Sequence, residues 1–139
     1  MAGMSCSNSR RAGADTTEVK RFFQVNLEDF RVRAKAIAAA EFHENGIATS
    51  VSEGCNEGAQ VLNSQVADEL LNIQGVRASF VAGRTESGKT VISARSLGEL
   101  NVQVIMEKLG GGGHLTTAGA QVDCSPQEVI EKVLAIINE

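Results

Sequence analysis

The sequence predicts an α/β domain: a small mixed β-sheet of about four to five strands covered by helices, preceded by N-terminal linker helices. Short β-branched runs alternate with segments of helical period along most of the chain. Helix start signals stand immediately ahead of several of those segments. With 139 residues, 42% of them hydrophobic, the chain is long enough for one core of its own.

Residues 1–10, MAGMSCSNSR, are small, polar and without period, so they are expected to be disordered or vector-derived. Residues 11–45 are assigned to linker helices. Asp15 and Glu18 form an Asp-x-x-Glu start signal ahead of Val19, Phe22 and Phe23 at helical spacing. A second helix is predicted from Asn26, with Leu27, Phe30, Ala34, Ile37 and Ala38 on one face and Gly46 as its stop. His43, near the end of that helix, is expected at the surface. Residues 46–139 then form the main domain.

In that domain GIATSVSE places Ile47, Thr49 and Val51 at alternate positions and reads as a strand. Beyond a loop from Gly54 to Gly58, Ala59, Leu62, Val66, Leu70 and Ile73 recur on one helical face, with Gly75 as the stop. VRASFVA follows as a short strand. In TVISARS, Thr90, Ile92 and Ala94 alternate with Val91, Ser93 and Arg95, and β-branching favours a strand over a helix. Between these strands GRTESGKT, Gly83 to Thr90, matches letter for letter the G-x-x-x-x-G-K-[ST] pattern of a phosphate-binding P-loop. That chemistry needs a helix leaving the loop to receive the phosphates at its N-terminus. A strand leaves it instead, so Arg84 to Lys89 is predicted as a hairpin tip and Lys89 as a solvated lysine. Asn101 is placed to cap a helix carrying Val102, Ile105, Met106 and Leu109. GGGGHLTTAGAQV supplies a glycine loop and a strand. Ser125, Pro126 and Glu128 then mark N-cap, N1 and N3 of a closing helix with Val129, Ile130, Val133, Leu134 and Ile137 on its apolar face.

Charge narrows the function classes. A net charge of −4 opposes a broad grip on long nucleic acid, yet leaves room for a small anion in a local pocket. Five Phe and no Trp or Tyr give few platforms for stacking a strand of bases. Cys6, Cys55 and Cys124 are odd in number and far apart, which suits neither a zinc ribbon nor a disulfide scaffold and fits a reducing, cytoplasmic location. Cys55 has no neighbouring base to activate it. No apolar run approaches the roughly 18 residues of a membrane span, so no membrane contact is expected of this segment. His43, His114, Asp15, Asp29, Asp68 and Asp123 form no cluster with metal-ligand spacing.

Gly110, Gly111, Gly112 and Gly113 exceed what a helix end requires. One glycine caps a helix ending at Leu109, and each further one costs about 0.5–1 kcal/mol relative to alanine. A run without β-carbons lets a ligand lie on the backbone, where successive N–H groups form an anion-binding concavity. It equally suits a flexible loop or close backbone packing, which Ala118, Gly119 and Ala120 would continue. His114 adds a ring that donates to a phosphate oxygen or stacks on a base. Arg95 ends an otherwise apolar strand, and its guanidinium fork suits a phosphate or carboxylate; a salt bridge to one of the many glutamates would satisfy it as well.

VRASFVAGR, the ISARS strand with its arginine, the NVQVIMEKL helix and above all GGGGHLTTAGAQV together resemble the DHH-associated domain, the C-terminal substrate-binding half of DHH-superfamily phosphoesterases. NVQVIMEKLGGGGHLTTAGA is similar to the bacterial cyclic-di-AMP phosphodiesterases that carry membrane, sensory and degenerate GGDEF modules ahead of the DHH half. RRAGADTTEVKRFF resembles the linker between their halves, so the resemblance runs from Arg11 to Glu139. It implies a two-part active site in which the DHH half binds manganese and hydrolyses, while the associated half recognises the nucleotide. Carried over by residue, Gly110, Gly111, Gly112, Gly113 and His114 would contact phosphate or base, and Arg95, Ser96 and Asn101 would add contacts. The implied ligand is cyclic-di-AMP or a linear dinucleotide, and the implied partner is the DHH half of a membrane-anchored parent whose domain faces the cytoplasm. That half is absent from this sequence, so the chain is expected to hold no catalytic or metal residue and to be inactive alone. The alternative partner is short single-stranded RNA, as in the nanoRNase and alanyl-tRNA synthetase relatives of the domain; self-association is a third.

Overall fold

The computed structural model describes residues 27–52, 59–85 and 87–138. The expected helix around Val19 to Phe23, the loop from Gly54 to Gly58, Cys6 and Cys55 lie outside the described residues. In chain order the elements are α1 (Leu27–Ala38), β1 (Glu41–Phe42), β2 (Ile47–Ser52), α2 (Ala59–Leu71), β3 (Ala78–Arg84), β4 (Thr90–Ser96), α3 (Val102–Lys108), β5 (Gly112–Gly113), β6 (Thr117–Val122) and α4 (Pro126–Ile137). The strands form one sheet in the order β1-β2-β3-β4-β6-β5. β2 and β3 are parallel, joined through α2, and every other neighbouring pair is antiparallel.

The sheet has six strands where about four to five were expected, because two-residue strands close both edges. At one edge Glu41 and Phe42 pair with Thr49 and Ala48, so α1 ends at Ala38 and does not run on toward Gly46. Gly46, at φ +79°, turns the chain into β2, and an added Cβ there would meet the Gly75 carbonyl oxygen at 2.9 Å. His43 sits in this turn, half-buried, with Nε2 3.1 Å from Thr49 Oγ1. At the other edge Gly112 and Gly113 pair with Gly119 and Ala118, so part of the expected loop is strand.

Alternation along the strands builds two cores. On one face Ala78, Phe80, Ala82, Ile92, Ala94 and Ala118 pack against Val102, Ile105 and Met106 of α3 and Val129, Ile130 and Val133 of α4. Both helices start as predicted. Asn101 Oδ1 accepts from the N–H groups of Gln103 and Val104, and Ser125 with Glu128 forms a complete capping box. On the opposite face Ala48 and Val81 pack beneath Ala36, Val66, Ala67 and Leu70. Buried serines line this contact with their hydroxyls satisfied: Ser50 donates to the Ala36 carbonyl at 2.6 Å and Ser79 to the Ala67 carbonyl at 2.7 Å. That close approach shifts the buried face of α1, keeping Ile37 of the expected residues and leaving the rest exposed. Ala36 is buried, with Ile37 beside it, whereas Leu27 and Phe30 are exposed, because a small residue is needed where the helix backbone touches β2.

Gly83 to Thr90 forms the hairpin between β3 and β4. Thr85 N–H donates to the Lys89 carbonyl, Gly88 N–H to the Thr85 carbonyl, and Lys89 Nζ pairs with Asp123 at 2.9 Å on the surface. No helix follows the loop, so its lysine has no phosphate cradle to serve.

Candidate ligand-binding site

α1 and α2 cover β2, β3 and β4 but leave β6 and β5 open on their side of the sheet. There a cleft of about 530 Å³ opens, within the size range of small-ligand sites. Its floor follows from strand register, since residues opposite one another in a sheet turn their side chains to the same face. Ser93 pairs with Gly119 and Gly119 with Gly112, which makes one row across three strands with two positions bare. Arg95 pairs with Thr117, and the Thr117 carbonyl accepts the His114 N–H at 2.6 Å, so Arg95, Thr117 and His114 form the next row. Val91 and Gln121 pair on the other side of the bare row. Gln60 and Ser64 of α2 form the wall above β4, with Ser64 Oγ 3.3 Å from Ser93 Oγ.

The four consecutive glycines have separate causes. Gly110 N–H donates to the Glu107 carbonyl and Gly111 N–H to the Met106 carbonyl, which completes a Schellman cap on α3 with Gly110 at φ +93°. A Cβ on Gly111 would overlap the Gly119 carbonyl oxygen and Ala120 Cα. Gly113 stands at φ +145°, and its Cβ would overlap Ala118 Cα and the Thr117 carbonyl oxygen. The left-handed cap therefore accounts for Gly110, and close backbone packing for Gly111 and Gly113. Gly112 differs: its φ is not positive, and nothing lies within 4 Å of an added Cβ. Gly119, its partner, would bring a Cβ to 3.0 Å from the Ile92 carbonyl oxygen, so packing explains part of its bareness.

The same bonds correct the expected concavity of successive free N–H groups. Gly110 and Gly111 spend theirs on the helix cap. His114 bonds Thr117, so ladder alternation makes Gly112 and Gly119 the next bonded pair and Gly113 with Ala118 a wide pair.

Arg95 lines the cleft and is pinned from behind. Its Nε donates to Asp68 Oδ1 at 2.8 Å and its Nη1 to its neighbour Ala94's carbonyl at 2.9 Å, with the side chain 15% exposed. Its ion-pair partner is an aspartate of α2, not a glutamate. Nη2 has no partner among the described residues. Ser96 is buried away from the cleft, donating to the Leu100 carbonyl at 2.7 Å and accepting from Gly98 N–H. Asn101 is occupied by its helix cap. The structure thus brings Arg95, Gly111, Gly112, Gly113 and His114 together and leaves Ser96, Asn101 and Gly110 off the lining. Gln60, Ser64, Ser93, Thr117 and Gln121 join the site without having been singled out; period-two alternation from Arg95 and Gly119 would have found all but the two helical ones.

Among the described residues no three His, Cys, Asp or Glu side chains are grouped to hold a metal ion. No described helix is long and apolar enough to cross a membrane.

Residues 43–139 match the family model of the DHHA1 domain. The chain is 48% identical over 118 residues to the cyclic-di-AMP phosphodiesterase GdpP of Geobacillus thermodenitrificans, covering 85% of this chain and 18% of that protein. It is 38% identical over 135 residues to the cyclic-di-AMP phosphodiesterase PdeA of Listeria monocytogenes, covering 96% of this chain and 20% of that protein. The chain therefore spans about a fifth of the length of these curated relatives. An exopolyphosphatase-related protein from Bacteroides fragilis shares the fold, with a TM-score of 0.66 at 17% identity over 88% of this chain and 38% of that one.

Proposed function

The chain belongs to the DHHA1 domain family, and from that premise we propose that its cleft is the recognition half of a two-part phosphodiesterase site for cyclic-di-AMP or the linear dinucleotide. Gly112 carries the proposal. The fold needs no glycine there, so the missing side chain serves something that lies on the backbone from outside. Beside it, Arg95 on β4 and His114 just past the end of β5 belong to one row, with β6 between them. With neighbouring strands about 4.8 Å apart, their Cα atoms are about 10 Å apart, a span two long polar side chains can close on one phosphodiester. The Arg95 guanidinium would neutralise its charge and the imidazole would hydrogen-bond to it, while the bare floor lets the sugar lie flat.

Bond cleavage belongs, in this proposal, to a DHH half of the same parent protein, where manganese would be held and would supply an activated water. This chain's residues bind and orient. The parent would be membrane-anchored with this domain facing the cytoplasm. Titrating the chain with cyclic-di-AMP and with pApA is expected to shift the amide signals of Gly112, Gly113, His114 and Thr117, and added manganese is expected to give no turnover. Shifts confined to another surface, or hydrolysis by the chain alone, would overturn the assignment. A short oligoribonucleotide that displaces both dinucleotides would point to an RNA-binding module instead.

A further inference from the structure

Charge marks only one end of the cleft. Arg95 and His114 stand there, whereas the far end is built from Val91 and Gln121 on the floor and Gln60 on the wall. Thr117 and Gln121 are four residues apart on β6, so the two ends lie about 14 Å apart at about 3.4 Å per residue. Gln60 and Gln121 are exposed, and neither side-chain amide has a partner among the described residues. A carboxamide presents a donor and an acceptor side by side, which complements a nucleobase edge that offers an amino group next to a ring nitrogen, as adenine does. Val91, 8% exposed, adds apolar floor beneath such a base.

We propose that Gln60 and Gln121 form a base-reading subsite, separated from the anion end by the bare row of Ser93, Gly119 and Gly112. This rests on the nucleotide reading of the cleft and adds to it the source of base dependence. The phosphodiester sits between Arg95 and His114, the ribose crosses the glycines, and the base edge meets the two carboxamides.

The test measures affinity of the 139-residue chain for pApA and for the same sugar-phosphate backbone lacking both bases. The unsubstituted chain is expected to prefer pApA. Gln60→Ala and Gln121→Ala should each weaken pApA by about fivefold or more and leave the abasic ligand unchanged. Gly112→Leu should weaken both ligands, because it blocks the shared floor. Equal affinity of the unsubstituted chain for both ligands, or equal losses on both in the glutamine variants, would overturn the subsite and leave the nucleotide assignment standing. Failure of both ligands to bind, or insensitivity of both to Gly112→Leu, would remove the nucleotide assignment and the subsite with it.

Discussion

β4 and β6 present two faces whose fates diverge. Ile92, Ala94 and Ala118 turn to α3 and α4 and are buried in the main core. One residue away, Ser93, Arg95, Thr117, Gly119 and Gln121 turn to the side that α2 covers only as far as β4, and they line the open cleft. The backbone ladder is common to both faces, so the difference comes from what covers each one. On these two strands the apolar packing lies on the closed side and the proposed recognition surface on the open side, with a single strand step between them.

Substitutions that respect or violate this division test it, beginning with the largest expected effect. Phe80→Ala empties a fully buried position on the closed face and should cost about 3–5 kcal/mol in chemical denaturation, with little left of the folded state to bind ligand. Arg95→Ala acts on the open face. Its partner Asp68 is 62% exposed, so loss of the ion pair itself should cost no more than about 1 kcal/mol. Calorimetry should nonetheless record a loss in pApA affinity worth about 1.5–3 kcal/mol, the range for hydrogen bonds to charged groups. If Arg95→Ala unfolds the chain instead, the division of faces fails at that residue.

Within the glycine run the contrast narrows to adjacent positions. Gly113→Ala should destabilise by at least about 1–3 kcal/mol through backbone strain, with overlap against Ala118 adding to it. Gly112→Ala should hold its melting behaviour within about 1 kcal/mol while weakening pApA. Equal stability losses at both sites would assign all four glycines to folding. Smallest of all, Lys89→Ala removes an exposed ion pair with Asp123 and should leave affinity unchanged, whereas a large loss would revive the phosphate-loop match at Gly83 to Thr90.

Capping chemistry and β-branching made most of the fold legible in the sequence. Ser125, Pro126 and Glu128 announced α4, Asn101 announced α3, and the run from Thr90 to Ser96 announced β4. β1 was hidden because two residues carry no period, and β5 because two glycines carry no side chains to alternate. The buried face of α1 was misplaced because apolar spacing marks large residues, whereas the contact with β2 selects the small Ala36. In the site, Arg95 and the segment from Gly111 to His114 stood out through unusual residue types. Gln60 and Ser64 did not, since ordinary polar residues on a helix acquire meaning only once α2 is seen to stop beside an open strand.

Gly112 also has a quantitative corollary. Three of the glycines are fixed by the turn and by contact with β6, but the side chain at position 112 is free to vary without disturbing either. Stepping that position from glycine through alanine and serine to valine would raise the cleft bottom by one increment of volume at a time. On the proposed reading, the same scaffold could then be graded, variant by variant, from admitting a whole dinucleotide to accepting little more than inorganic phosphate.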